Sequence, residues 1–233
     1  MSSAYSLDVN SEIKSISQNQ TEAEKYYRLS LKAYENKDNI KAIELARQSY
    51  GYGSVESAVI LGEIFRKSNP SIRSLKESKK WYLLAANANN SEALMALGEM
   101  ALLKQAGLTI NDALIYLTKA SDMGHTDAMV ALSEIYLKGI GVDIDRPLSL
   151  NFLHKASNGF NNKATKLLGD RFINIDADKA LKFYELAANA GHIEAAYITG
   201  IMYAEGLNIL PNITKASGYL KQSADANYPA AQA

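Results

Sequence analysis

The chain has 233 residues, 47% of them hydrophobic, which is enough for a large folded unit and too much for a mainly disordered one. Its 25 Lys and Arg balance 25 Asp and Glu, so it lacks the global basic field that draws a protein to nucleic acid. It has no cysteine, which excludes disulfide frameworks, zinc knuckles and a thiol nucleophile and is compatible with a reducing compartment.

Residues 1–20 are polar and rich in Ser and Asn, and they read as a flexible N-terminal segment. They lack the basic start and apolar run of a secretory signal, and no 18-residue apolar segment follows that would span a membrane, so a cytoplasmic location is expected. From residue 21 onward one pattern recurs six times, each copy centred on a small residue in an apolar stretch: Ser30, Gly62, Gly98, Ser133, Gly169 and Gly200. The intervals are 32, 36, 35, 36 and 31 residues, a period that marks a stack of supersecondary units.

Each unit reads as two helices. In the fourth, Ala128, Leu132 and Tyr136 fall on one helical face, Gly139-Ile140-Gly141 ends the helix, and Asp145 with Pro147 opens the next. Leu150, Leu153 and Ala156 give the second helix its apolar side. Second helices carry small residues at Ala42, Ser78, Ala113, Ser149, Ala180 and Ala216, and again seven residues on at Ser49, Ala85, Ala120, Ala156, Ala187 and Ser223. Small side chains at both heights predict close helix packing. The fifth unit is short because its inter-helix loop near residues 174–178 has lost residues, which a loop tolerates better than a packed helix. Ala230-Ala231-Gln232-Ala233 reads as the opening of a further unit, and the chain therefore as a piece of a longer polypeptide.

Ala93-x3-Leu97-Gly98, Ala128-x3-Leu132-Ser133-x2-Tyr136-x2-Gly139-Ile140-Gly141 and Asp178-Lys179-Ala180-x3-Tyr184-x2-Ala187-Ala188-x2-Gly191 resemble the Sel-one-like repeat family, relatives of the tetratricopeptide repeat. The resemblance covers about residues 23 to 233, the first unit departing most. It implies an all-α, right-handed superhelical solenoid of about six antiparallel helix pairs over residues 21–233, with the first helices lining a concave surface. It also implies a non-catalytic scaffold or adaptor that binds partner proteins there.

On that analogy two stripes run along the first helices. One is Glu24, Glu56, Glu92, Asp127, Lys163 and Glu194; the other is Leu31, Glu63, Glu99, Glu134, Asp170 and Ile201. Acids at helix starts favour the helix dipole, which by itself accounts for the first stripe. The second lies mid-helix, where capping offers no explanation. Glu63, Glu99, Glu134 and Asp170, with Tyr27, Tyr34, Met95, Val130 and Tyr197 as apolar anchors, are the expected partner-binding residues, suited to a basic or Lys/Arg-bearing protein segment.

No catalytic constellation is legible. Gly-x-Ser-x-Gly, His-Glu-x-x-His and a phosphate loop are missing, and Gly139-Ile140-Gly141 follows a helix and reads as a turn. A whole repeat separates His125 from His192, and the Asp143/Asp145 and Asp176/Asp178 pairs lack calcium-loop spacing, so no metal or cofactor is expected. Neither nucleic acid nor a membrane is expected as partner. A dedicated activator, inhibitor or immunity-type regulator of one enzyme is the alternative role. A hydrolase of the β-lactam-binding Sel-one-like type is disfavoured because those are stapled by cysteines.

Overall fold

The computed structural model describes residues 2–207 and 209–232, residues 2–14 by their backbone alone. Twelve α-helices are found among them: α1 (Ser2–Glu35), α2 (Asn39–Gly51), α3 (Val55–Lys67), α4 (Leu75–Asn87), α5 (Ser91–Leu102), α6 (Ile110–Asp122), α7 (Thr126–Lys138), α8 (Arg146–Asn158), α9 (Asn162–Phe172), α10 (Ala177–Asn189), α11 (Ile193–Glu205) and α12 (Ile213–Asp225). They pair in chain order into six helix-pair repeats, the all-α arrangement expected from the sequence period. Two compact units divide the chain, residues 1–120 with the first three repeats and residues 121–233 with the last three.

Helix starts follow from local chemistry. The side chains of Asp38, Ser54, Ser74, Asn90, Asp145, Asn161, Asp176, His192 and Asn212 each accept the backbone N–H three residues on, satisfying one orphan donor of the helix that follows. Thr109 and Asp112 reciprocate at the start of α6, each accepting the other's backbone N–H at 3.3 and 2.8 Å. Asp145 and Asp176 are thus caps, and Gly139 ends α7 in the left-handed conformation (φ 69°), both as the residue pattern predicts. Residues 2–20, expected to be a flexible segment, lie within α1. The stretch contains no Gly or Pro to interrupt a helix.

Successive repeats are joined by one recurring turn. The residue that caps each following first helix, or its equivalent, donates its N–H to the carbonyl of the second-helix small residue: Ser54 to Ser49, Asn90 to Ala85, Asn161 to Ala156, His192 to Ala187 and Tyr228 to Ser223, at 2.9–3.2 Å. The residue just before it has positive φ, and is Gly53, Asn89, Phe160, Gly191 or Asn227. Gly and Asn take that conformation readily and Phe does not. Phe160 is also 92% exposed.

The small first-helix anchors form notches for their own partner helix. A Cβ added at Gly62 would lie 2.6 Å from the Tyr82 ring, at Gly98 2.5 Å from Leu117, at Gly169 2.6 Å from the Tyr184 ring and at Gly200 2.6 Å from Leu220. These knobs all stand four residues after the second-helix small residue, one turn along the same face. In the fourth repeat the anchor is Ser133, whose hydroxyl bonds that of Ser149 at 2.9 Å, so the buried polar group is satisfied. Trp81 packs edge-on against Tyr50 of the preceding repeat, centroids 5.3 Å apart, and so joins two repeats.

Candidate partner-binding face

The first helices of each unit carry the predicted site residues, and the two units differ in how those residues are partnered. In the first unit Tyr27 and Tyr34 lie two turns apart on α1 and are half-buried. Burial raises the pKa of the Tyr27 phenol, and the carboxylates of Glu56, Glu92 and Glu24 raise it further. Three successive first helices, α1, α3 and α5, therefore each supply one carboxylate whose charge acts on this phenol. Glu24 is ion-paired with Arg28, and Glu56 accepts a hydrogen bond from Ser54 Oγ at 3.0 Å. Burial also raises the pKa of Tyr34, reinforced by Glu63 and opposed by Lys67 and Arg66.

The mid-helix carboxylates are all engaged within the chain. Glu63 pairs with Lys67 at 2.7 Å, Glu99 with Arg66 at 2.9 Å and Glu134 with Lys138 at 2.8 Å. Asp170 pairs with Lys166 at 3.1 Å and accepts the Tyr184 hydroxyl at 2.8 Å. Lys166 also reaches Glu194 at 2.9 Å and is only 15% exposed. Burial pulls the Lys166 pKa down, but its hydrogen bonds to Glu194 and Asp170 outweigh that and hold it above the usual lysine value. The hydrogen bond from Lys138 holds the Glu134 carboxyl below its usual range, and Lys138, Lys163 and Arg171 add to the effect electrostatically. The second unit thus offers Glu134 in a basic surrounding, not a bare acidic stripe.

The apolar anchors divide as well. Met95 and Tyr197 are half-buried, and Tyr197 packs against Tyr228 with centroids 5.2 Å apart. Val130 is a correction: it is 4% exposed, clustered with Leu153, Ala156, Ala164 and Leu168, and presents no surface to a partner. Its short side chain is enclosed by residues of α8 and α9, whereas the longer Met95 and Tyr197 at the equivalent positions are only half-buried. The first-stripe charges of Glu24, Glu56 and Glu92 act together on Tyr27, an effect distinct from their favourable placement at helix starts. Its sequence signal was the register of that stripe with Tyr27, three residues after Glu24 and hence on the same face. Among the described residues no group of three or more potential ligand side chains could hold a metal ion, and no helix is long and apolar enough to cross a membrane.

The Sel1 repeat profile matches residues 13–35, 55–90, 91–125, 126–159, 167–192 and 193–228. Protein SHC1 of Saccharomyces cerevisiae is 29% identical over 122 residues, covering 52% of this chain and 18% of that protein. Chitin synthase regulatory factor 1 of Schizosaccharomyces pombe is 26% identical over 158 residues, covering 67% of this chain and 28% of that protein. The chain thus spans well under a third of the length of these curated relatives. Among solved structures, a Sel1 repeat protein from Oxalobacter formigenes superposes with a TM-score of 0.75 at 22% identity, covering 88% of each chain. The immunity protein Pa5087 from Pseudomonas aeruginosa does so with a TM-score of 0.60 at 17% identity, covering 87% of this chain and 81% of that one. Six profile matches, the first on α1 and the other five on successive helix pairs, show that the chain belongs to the Sel1 repeat family.

Proposed function

We propose that this chain is a non-catalytic protein-interaction scaffold that receives a Lys/Arg-bearing segment of a partner on the first-helix face of its N-terminal three repeats. The feature that carries this reading is the half-buried Tyr27, whose phenol pKa is raised by burial and by the charges of Glu56, Glu92 and Glu24, one carboxylate from each of α3, α5 and α1. An aromatic face amid carboxylates attracts a cation through both the ring quadrupole and direct charge. Tyr34, Met95, Glu63 and Glu99 extend the face. The intramolecular ion pairs of Glu63 and Glu99 are partly exposed and each worth about 0–1 kcal/mol, so a partner's cation exchanges with Lys67 or Arg66 at little cost.

A dedicated regulator of one enzyme is the second reading, favoured by the regulatory factor and the immunity protein among the similar proteins. The two differ in stoichiometry: a single tight one-to-one complex marks the regulator, and several weaker ligands mark the adaptor. Affinity capture from lysate of the native source, with wild type and a Glu24→Lys/Glu56→Lys/Glu92→Lys variant as baits, tests the shared claim. The proposal expects one or more salt-sensitive partners on the wild type and their loss on the variant. Equal capture by both baits places the interaction elsewhere.

A further inference from the structure

His125 and His192 occupy the same place in their repeats, the residue before a first helix, yet only His192 caps. Its Nδ1 accepts the backbone N–H of Ala195 at 3.2 Å, whereas His125 makes no side-chain bond at the start of α7. An imidazole nitrogen accepts only while it is unprotonated, so this cap requires neutral His192 with its proton on Nε2. The equivalent residues Asn90 and Asn161 cap α5 and α9 with side-chain oxygens that do not titrate. We infer that His192 is an acid-sensitive latch, holding the first turn of α11 in its neutral form and releasing it when protonated.

The surroundings set the direction. The backbone of His192 is fixed to α10 by its N–H bond to the Ala187 carbonyl at 2.9 Å. From α9, Lys166 opposes a second positive charge, while Asp170 favours one; Glu194, on the same turn of α11, also favours it. Tyr184 of α10 engages Asp170 through its hydroxyl, and Tyr228 borders the same shallow recess from the turn after α12. Burial is the leading influence and lowers the His192 pKa, with Lys166 adding to it against the pull of Glu194 and Asp170. Protonation also sets a cation against the positive end of α11. The folded state therefore prefers the neutral ring. The cap is intact above the ordinary histidine value of about 6.5 and is lost as pH falls below it through the folded value.

Amide protection of Ala195, corrected for intrinsic exchange and read by NMR on the whole chain at about pH 7.5 and about pH 5, tests the latch. The wild type is expected to lose about fivefold protection on acidification, the scale of one lost N-cap. His192→Asn keeps a cap that does not titrate and is expected to abolish that drop, while His125→Asn leaves the wild-type response unchanged. The latch is refuted by pH-independent protection in the wild type. A drop that persists in His192→Asn refutes it equally, as does a His192 ring that titrates above the ordinary histidine value.

Discussion

In the first three repeats Tyr27 feels the negative charge of Glu24, Glu56 and Glu92, whereas in the last three Glu134 pairs with Lys138 and feels the positive charge of Lys163 and Arg171 as well. The helical frame beneath is shared: most helix starts carry a side-chain cap, the same inter-repeat turn recurs, and glycine notches receive a knob from the second helix in both. The contrast lies in side chains that the frame does not use. Packing dictates Gly62, Gly98, Gly169 and Gly200, but it leaves the position occupied by Glu56, Glu92 and Lys163 free to vary in sign. A repeat array separates stability from recognition in this way, because each layer needs only its own notch and its neighbours. In the second unit some of the freed charge is spent internally, since Lys166 ties Asp170 to Glu194 across α9 and α11.

Substitutions at the notches break the shared frame and carry the largest expected effects. Gly169→Ala drives a Cβ into the Tyr184 ring, which is rigid and tethered by its bond to Asp170. Gly98→Ala meets the Leu117 side chain, which has other rotamers. Overpacking costs about 1–3 kcal/mol, so Gly169→Ala should lie near the top of that range and Gly98→Ala near the bottom, with Gly98→Leu again near the top. Urea unfolding of the variants checks this order; equal, small losses mean that the glycines do not set the helix approach.

Charge substitutions sharpen the difference between the units. Lys166→Met removes the cation shared by Asp170 and Glu194, leaving Asp170 its bond from the Tyr184 hydroxyl, and is expected to cost about 1–3 kcal/mol. Arg66→Met frees only the partly exposed Glu99 and is expected to cost about 1 kcal/mol or less. Thermal melts at low and high salt separate the two, and a larger loss for Arg66→Met reverses the assignment of the tighter network to the second unit. The smallest effect is a gain. Phe160 holds a left-handed conformation that Asn89 and Asn227 hold in equivalent turns, so Phe160→Asn is expected to stabilise by about 0.5–1 kcal/mol. A loss of stability there means that the exposed ring is held by packing.

Much of the frame was legible in the sequence because packing writes it at a fixed period. Ser30, Gly62, Gly98, Ser133, Gly169 and Gly200 fixed the register, and Asp145, Pro147 and Gly139 marked helix ends by their backbone preferences. The polar composition of residues 2–20 misled, because composition reports what a segment is able to bury and does not by itself decide whether its backbone is helical. The face was half legible. The pairing of Glu63 with Lys67 and of Glu134 with Lys138 follows from i,i+4 spacing, but that of Glu99 with Arg66 joins different repeats and needs three dimensions. Val130 shares a register with Met95 and Tyr197, and only the length of the side chain separates a buried residue from a surface anchor.

The central claim, that the carboxylates around Tyr27 receive a basic segment, is tested most directly by NMR titration of the intact chain with a lysine-rich synthetic peptide. Shifts should concentrate on Tyr27, Tyr34 and the first helices of the first unit. They should weaken about tenfold or more in apparent affinity for Glu56→Lys/Glu92→Lys, because like charges then oppose each other. Shifts centred on Glu134 and its neighbours, or an affinity that the charge reversal leaves unchanged, would contradict it.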